Sequence, residues 1–132
     1  MVTPVTVSSR SPVREEVAVR NRAPSRPLYQ LKAEFFKPLG HPVRIRVLEL
    51  LSEREQAVAE LLPEVGVEAA NLSQQLAVLR RAGLVTARRE GSTVYYRITS
   101  PQVAELLAVA RTILTTVLAS QAELLADLRA PA

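Results

Sequence analysis

The 132-residue chain has no cysteine and no tryptophan, one histidine (His41), one methionine and four glycines. Without cysteine, disulfides, thiolate metal sites and thiol nucleophiles are all excluded. The few glycines are scattered, so no glycine-rich phosphate loop is present, and the single histidine has no evident orienting partner for catalysis. An enzyme is therefore not expected. No apolar run reaches the roughly 18 residues a bilayer span needs. The opening MVTPVTVSSRSPVREE lacks a basic start followed by an apolar stretch, so it does not read as a secretory signal. A cytoplasmic protein with no membrane partner is expected.

Apolar residues make up 48% of the chain, enough for a core, and the length suits one compact domain plus a tail. The formal charge of +4 suggests an acidic partner, and its distribution is uneven. Residues 1–27 carry Arg10, Arg14, Arg20, Arg22 and Arg26 against Glu15 and Glu16. Residues 80–97 hold five arginines against Glu90 alone, whereas residues 53–68 hold five glutamates against Arg54. One face suits phosphate and another is turned away from it.

Residues 1–27, with four prolines and no sustained period, read as a disordered basic arm, and residues 28–132 as the folded domain. Leu28, Leu31, Phe35 and Leu39 recur at helical spacing and predict a first amphipathic helix ending near Pro38 and Gly40. Pro42 suits the first position of a second helix, with His41 in the capping position ahead of it. Val43, Ile45, Val47, Leu48 and Leu51 give that helix its apolar side, and Arg44 and Arg46 leave it. A third short helix is expected from about Ala57 to Leu62, closed by Pro63 and Gly66.

The next helix carries Leu72, Leu76 and Leu79 on one face. Gln74 and Arg81 point nearly opposite, flanked by Ala70, Asn71, Ser73 and Ala77, and Gly83 ends the helix. Two strands follow, Leu84 to Arg89 and Thr93 to Thr99, joined by a tight turn at Glu90-Gly91-Ser92. Pro101 then opens a long helix. Its stripe of Val103, Leu106, Leu107, Ala110, Leu114, Val117, Leu118, Leu125 and Leu128 is too long for the rest of the domain to cover, and a partner chain could cover it.

A short helix, a turn, a helix with an outward polar face and an arginine-bearing hairpin make a winged helix-turn-helix. The fold is expected to be mainly α with a small β-hairpin and a long terminal helix for dimerisation. Amides pair with adenine edges, small residues allow close approach to the major groove, and hairpin arginines reach phosphates. The function expected is a sequence-specific double-stranded DNA-binding regulator. The alternative from another class is a helical interaction module whose polar face and arginines are merely solvated.

The run LGHPVRIRVLELL and the stretch AVAELLPEVGVEAANLSQQLAVLRRAGLVTARREGSTVYYRI strongly resemble the ArsR/SmtB family of bacterial regulators. The resemblance covers about Leu28 to Leu128 and is most specific from Asn71 to Tyr96. It implies a homodimer paired through its first and last helices, here Leu28, Leu31, Phe35, Val103, Leu107, Ala110, Leu114, Val117, Leu118 and Leu125. It also implies repression that a signal relieves, and a dimer holding two recognition helices about one DNA turn apart is expected to read an imperfect palindrome. Ser73, Gln74 and Gln75 fall in its recognition helix beside Asn71 and Arg81, and Arg88, Arg89, Ser92 and Thr93 in its wing. Gln75 stands where many members have histidine.

The family's metal triggers match poorly. The position of its thiolate site reads Ala57-Val58-Ala59-Glu60-Leu61, and the last helix has Glu105, Glu123 and Asp127 but no histidine. No metal site or cofactor is identifiable. A nickel- or zinc-responsive regulator would need His41 to recruit carboxylates or the arm. An apolar effector, a partner protein, or no ligand at all are the other possibilities.

Overall fold

The computed structural model describes residues 26–130. They fall into two units that divide between Lys37 and Pro38. The expected arm lies outside the described residues except for its last two.

In the first unit, Leu28–Phe36 forms helix α1, with Pro27 at its N-cap. No α1 residue is buried, and Phe35 and Phe36 meet edge to face with ring centroids 5.4 Å apart. Arg26 pairs with Glu34 across two turns.

The second unit begins in a 3-10 turn that ends at Leu39 and leads to helix α2, Pro42–Glu53. His41 caps α2 as its position suggested, its Nδ1 accepting the Val43 N–H at 3.1 Å, and Pro42 occupies the first turn. A two-residue strand β1, Gln56–Ala57, precedes helix α3, Val58–Val65. Ala57 has no capping side chain; Glu60 instead reaches back and accepts the Ala57 N–H at 2.9 Å. The expectation that Pro63 closes α3 is corrected. Pro63 lies inside the helix, where its missing N–H strands only a carbonyl at the exposed end near Ala59. Gly66, at φ 75°, supplies the left-handed stop.

Helix α4 spans Ala69–Arg81, strand β2 Val85–Glu90 and strand β3 Thr93–Ile98. Gly91 and Ser92 join the strands, with only Gly91 at positive φ, the glycine-first pattern of a type II′ hairpin turn. The sheet is antiparallel in the order β1-β3-β2, with Gln56 opposite Tyr96 and Ala87 opposite Tyr96 on the other side. Strand β1 was not foreseen. Two residues carry no period, and the Gln56 side chain that anchors it, donating to the Leu50 carbonyl at 2.7 Å, reads as polar surface.

Val47, Leu48, Leu50 and Leu51 of α2, Leu61 of α3, Leu72, Leu76 and Leu79 of α4, and Leu84 and Val85 form the core. Each such side chain contributes roughly 1.5–3 kcal/mol through burial. Helix α5, Pro101–Arg129, adds only Val103, which is 7% exposed, with Leu107 packed at the margin. Val103 was expected on the surface that meets a second chain; it belongs to the core of its own, because the first turn of α5 lies against α2 and β3.

From Ala108 onward α5 is exposed throughout the single chain. Val109, Ile113 and Leu124 join the foreseen stripe, so apolar side chains cover about half the helix circumference at 100° per residue. By length and composition alone α5 could cross a membrane, with a mean hydropathy of 1.6 over 18 residues. Arg111 and the threonines Thr112, Thr115 and Thr116 break its apolar sequence, so α5 meets the span criterion by its average and not by an apolar run, contrary to the expectation that no segment would.

Candidate nucleic-acid interface

Helix α4 buries Leu72, Leu76 and Leu79 and leaves Ser73, Gln74, Arg80 and Arg81 exposed. Ser73, Ala77, Arg80, Arg81 and Tyr96 line a shallow hollow of about 450 Å³ where α4 meets the wing. Arg80 and Tyr96 were not among the expected site residues. Counting seven residues from Ser73 along the helix would have found Arg80; Tyr96 is brought there only by the sheet.

Asn71 is half-buried, and Gln75, at 8% exposure, is not on the outward face with Ser73 and Gln74. Gln75 was expected at the DNA surface, but its side chain turns toward α2. Its Oε1 accepts from Arg44 Nη1 at 2.7 Å, and its Nε2 donates to Asn71 Oδ1 at 3.0 Å. Arg44 also donates from Nε to the Pro38 carbonyl at 2.7 Å.

The pleat separates the two wing arginines. Arg88 lies opposite Tyr95 and Arg89 opposite Val94, so the two side chains leave opposite faces of the hairpin. Arg88 binds Glu55 through two hydrogen bonds, Nε to Oε2 at 2.9 Å and Nη2 to Oε1 at 2.8 Å. Its guanidinium carbon also sits 4.6 Å from the Tyr95 ring centroid. The Arg88 hydrogen bonds hold the Glu55 carboxyl below the usual carboxylate range, and Glu55 in turn raises Arg88. Arg88 is thus a pin joining the wing to the segment before β1. Arg89 shares a sheet face with Tyr96, on the side of the hollow. Among the described residues Arg80, Arg81, Arg89 and Arg97 form no salt bridge within the chain. Ser92 and Thr93 lie at the wing tip, Ser92 exposed and Thr93 half-buried.

The acidic stretch is partly neutralised away from this surface. Arg54 binds Glu60 at 3.0 Å and Arg46 lies 3.8 Å from Glu64. The Ala57 N–H and Arg54 together lower the Glu60 pKa.

The profile of the arsR family of bacterial regulatory proteins matches residues 41–87, from the cap of α2 into β2. An uncharacterized HTH-type transcriptional regulator of Mycobacterium tuberculosis, Rv0081, is 62% identical over 107 residues, which cover 80% of this chain and 94% of the relative. The chain belongs to the ArsR family. The crystal structure of Rv0081 superposes with a TM-score of 0.69, covering 74% of this chain and 98% of that one. The homodimeric winged helix-turn-helix DNA-binding domain of Mb0332 from Mycobacterium bovis superposes with a TM-score of 0.63 at 35% identity, covering 69% and 84%. The transcriptional repressor BigR of Xylella fastidiosa gives 0.59 at 36% identity, covering 76% and 94%. This ArsR-family chain is accordingly a winged-helix transcriptional regulator and not an enzyme.

Proposed function

We propose that this regulator acts in the cytoplasm as a homodimeric repressor that reads an imperfect palindrome in double-stranded DNA. The observation that carries the reading is the hollow beside the outward face of α4, where Ser73, Ala77, Arg80, Arg81 and Tyr96 meet. Ser73 and Gln74 face the major groove, small Ala70 and Ala77 allow close approach, and Arg80 and Arg81 reach the flanking phosphates. Arg89, Ser92 and Thr93 extend the contact along the wing, and Asn71 adds an amide at the head of α4. Arg88 and Gln75 act from behind this surface, holding the wing and the helix.

The dimer is proposed on the apolar half of α5, with Leu107, Ala110, Leu114, Val117, Leu118 and Leu125 meeting a second chain. Leu28, Leu31 and Phe35 of α1 have a second apolar surface to contribute. A two-fold pair of this kind sets two recognition helices about 34 Å apart, one turn of DNA, and so favours two-fold related half-sites. The homodimeric Mb0332 domain and the BigR repressor support the reading by likeness. The arm of residues 1–27 is proposed to add phosphate attraction of no sequence preference.

The test is a salt series of binding to the duplex upstream of the protein's own gene, against a scrambled duplex, followed by fluorescence anisotropy. Selective binding that persists near physiological salt is expected. Equally weak binding to both duplexes, abolished by salt, would show that the arginines are only a charged surface.

A further inference from the structure

Behind the outward face of α4 runs a chain of hydrogen bonds whose direction is set at one end. Arg44 has donors only. It gives one to the Pro38 carbonyl and one to Gln75 Oε1, so the Gln75 amide must turn its oxygen toward Arg44. Its nitrogen then faces the other way and donates to Asn71 Oδ1. Asn71 is left with an engaged oxygen and an Nδ2 that donates to nothing among the described residues, turned away from buried Gln75.

We propose that Arg44 is a positioning residue for base recognition: through Gln75 it fixes the Asn71 amide so that its N–H groups, not its oxygen, meet the DNA. This rests on the DNA-reading function above and deepens it. The partner is a hydrogen-bond acceptor on a base edge in the major groove, such as guanine O6 or N7 or thymine O4. Arg44 itself never touches the DNA. Its part is to orient two amides that could otherwise flip freely, since the two ends of an amide are nearly equal in shape and opposite in hydrogen bonding.

The relay can be reversed without being broken. In Gln75→Glu the carboxylate keeps its bond to Arg44 but has no N–H for Asn71. The Asn71 amide then turns its nitrogen inward and shows its oxygen to the base acceptor. Arg44→Met removes the polarity at its source, whereas Arg44→Lys can still donate to Gln75 Oε1.

The experiment starts from a duplex enriched out of a random-sequence library by the full-length wild-type chain. For each variant, affinity for that duplex is divided by affinity for its scrambled counterpart, and thermal melting is recorded alongside. Gln75→Glu and Arg44→Met are expected to lower the ratio about tenfold while cooperative melting persists, and Arg44→Lys to retain it. With Asn71→Ala already in place, Gln75→Glu should change the ratio less than twofold, because the end of the relay is gone. An unchanged ratio in Gln75→Glu overturns the proposal. So does an undiminished loss with Asn71→Ala in place, which would mark simple charge repulsion. If Arg44→Met fails to fold, the Gln75→Glu cycle alone decides. A wild-type chain that enriches no sequence would instead refute the DNA-reading function, a result distinct from either.

Discussion

Replacing Leu114 with glutamate tests what covers α5. Leu114 is 57% exposed in the single chain and lies near the middle of the apolar half of the helix. Completing its burial against a second chain contributes about 1–2 kcal/mol. A carboxylate forced into the same place costs several kcal/mol more in lost hydration. With about 4 kcal/mol lost per chain and two chains per dimer, dissociation becomes easier by about five to six orders of magnitude. A nanomolar dimer would come apart at any ordinary concentration. The core draws only Val103 from α5, so the separated chain should keep its fold. Analytical ultracentrifugation at micromolar concentration is expected to give the monomer mass, with near-native helical circular dichroism. Thr116→Glu, on the opposite side of the helix, should remain dimeric. A Leu114→Glu chain that still sediments as a dimer would refute the pairing proposed for α5.

Gln74→Ala should cost about 1–3 kcal/mol on the preferred duplex and narrow its advantage over others, as read by competition binding; equal losses on every sequence would rule out base reading by Gln74. Arg89→Ala should lower the slope of log affinity against log salt by about 0.9, whereas Arg88→Ala, whose charge is engaged by Glu55, should change it less; the reverse order would exchange their roles. The Glu55 carboxyl is held below its ordinary range, so its link to Arg88 adds stability at neutral pH that is lost as pH falls through the lowered folded value. Thermal melts of wild type and Glu55→Gln should therefore differ near neutral pH and converge in acid below the usual carboxylate range; a constant gap would mean that Glu55 ionisation plays no part.

Much of the architecture was legible because it rests on periods and punctuation. The leucine spacing of α4, the Gly91 turn between β-branched strands and the proline starts of α2 and α5 are local signals, and α2, α4, α5 and the hairpin lie where those signals put them, whereas α3 runs on past Pro63. The site was less legible, because a side chain's neighbours are set by packing. Gln75 follows two outward-facing residues, yet one further step of about 100° carries it to the buried side, where Arg44 meets it. Arg88 and Arg89 are adjacent in sequence and opposite in the sheet. The pleat alone would have told them apart, but only Glu55, 33 residues earlier, shows which one is pinned. Val103 heads the long apolar stripe, and nothing in its spacing reveals that the helix's first turn is claimed by the core.

The exposed apolar half of α5 also bears on how the protein would respond to its own abundance. If only the paired chain grips two half-sites, then below the dimer's dissociation constant the assembled regulator rises with the square of chain concentration. A twofold change in synthesis would alter the assembled form nearly fourfold. The chain's own expression level would then act as an input signal, sharpening the switch between free and occupied DNA without any small molecule.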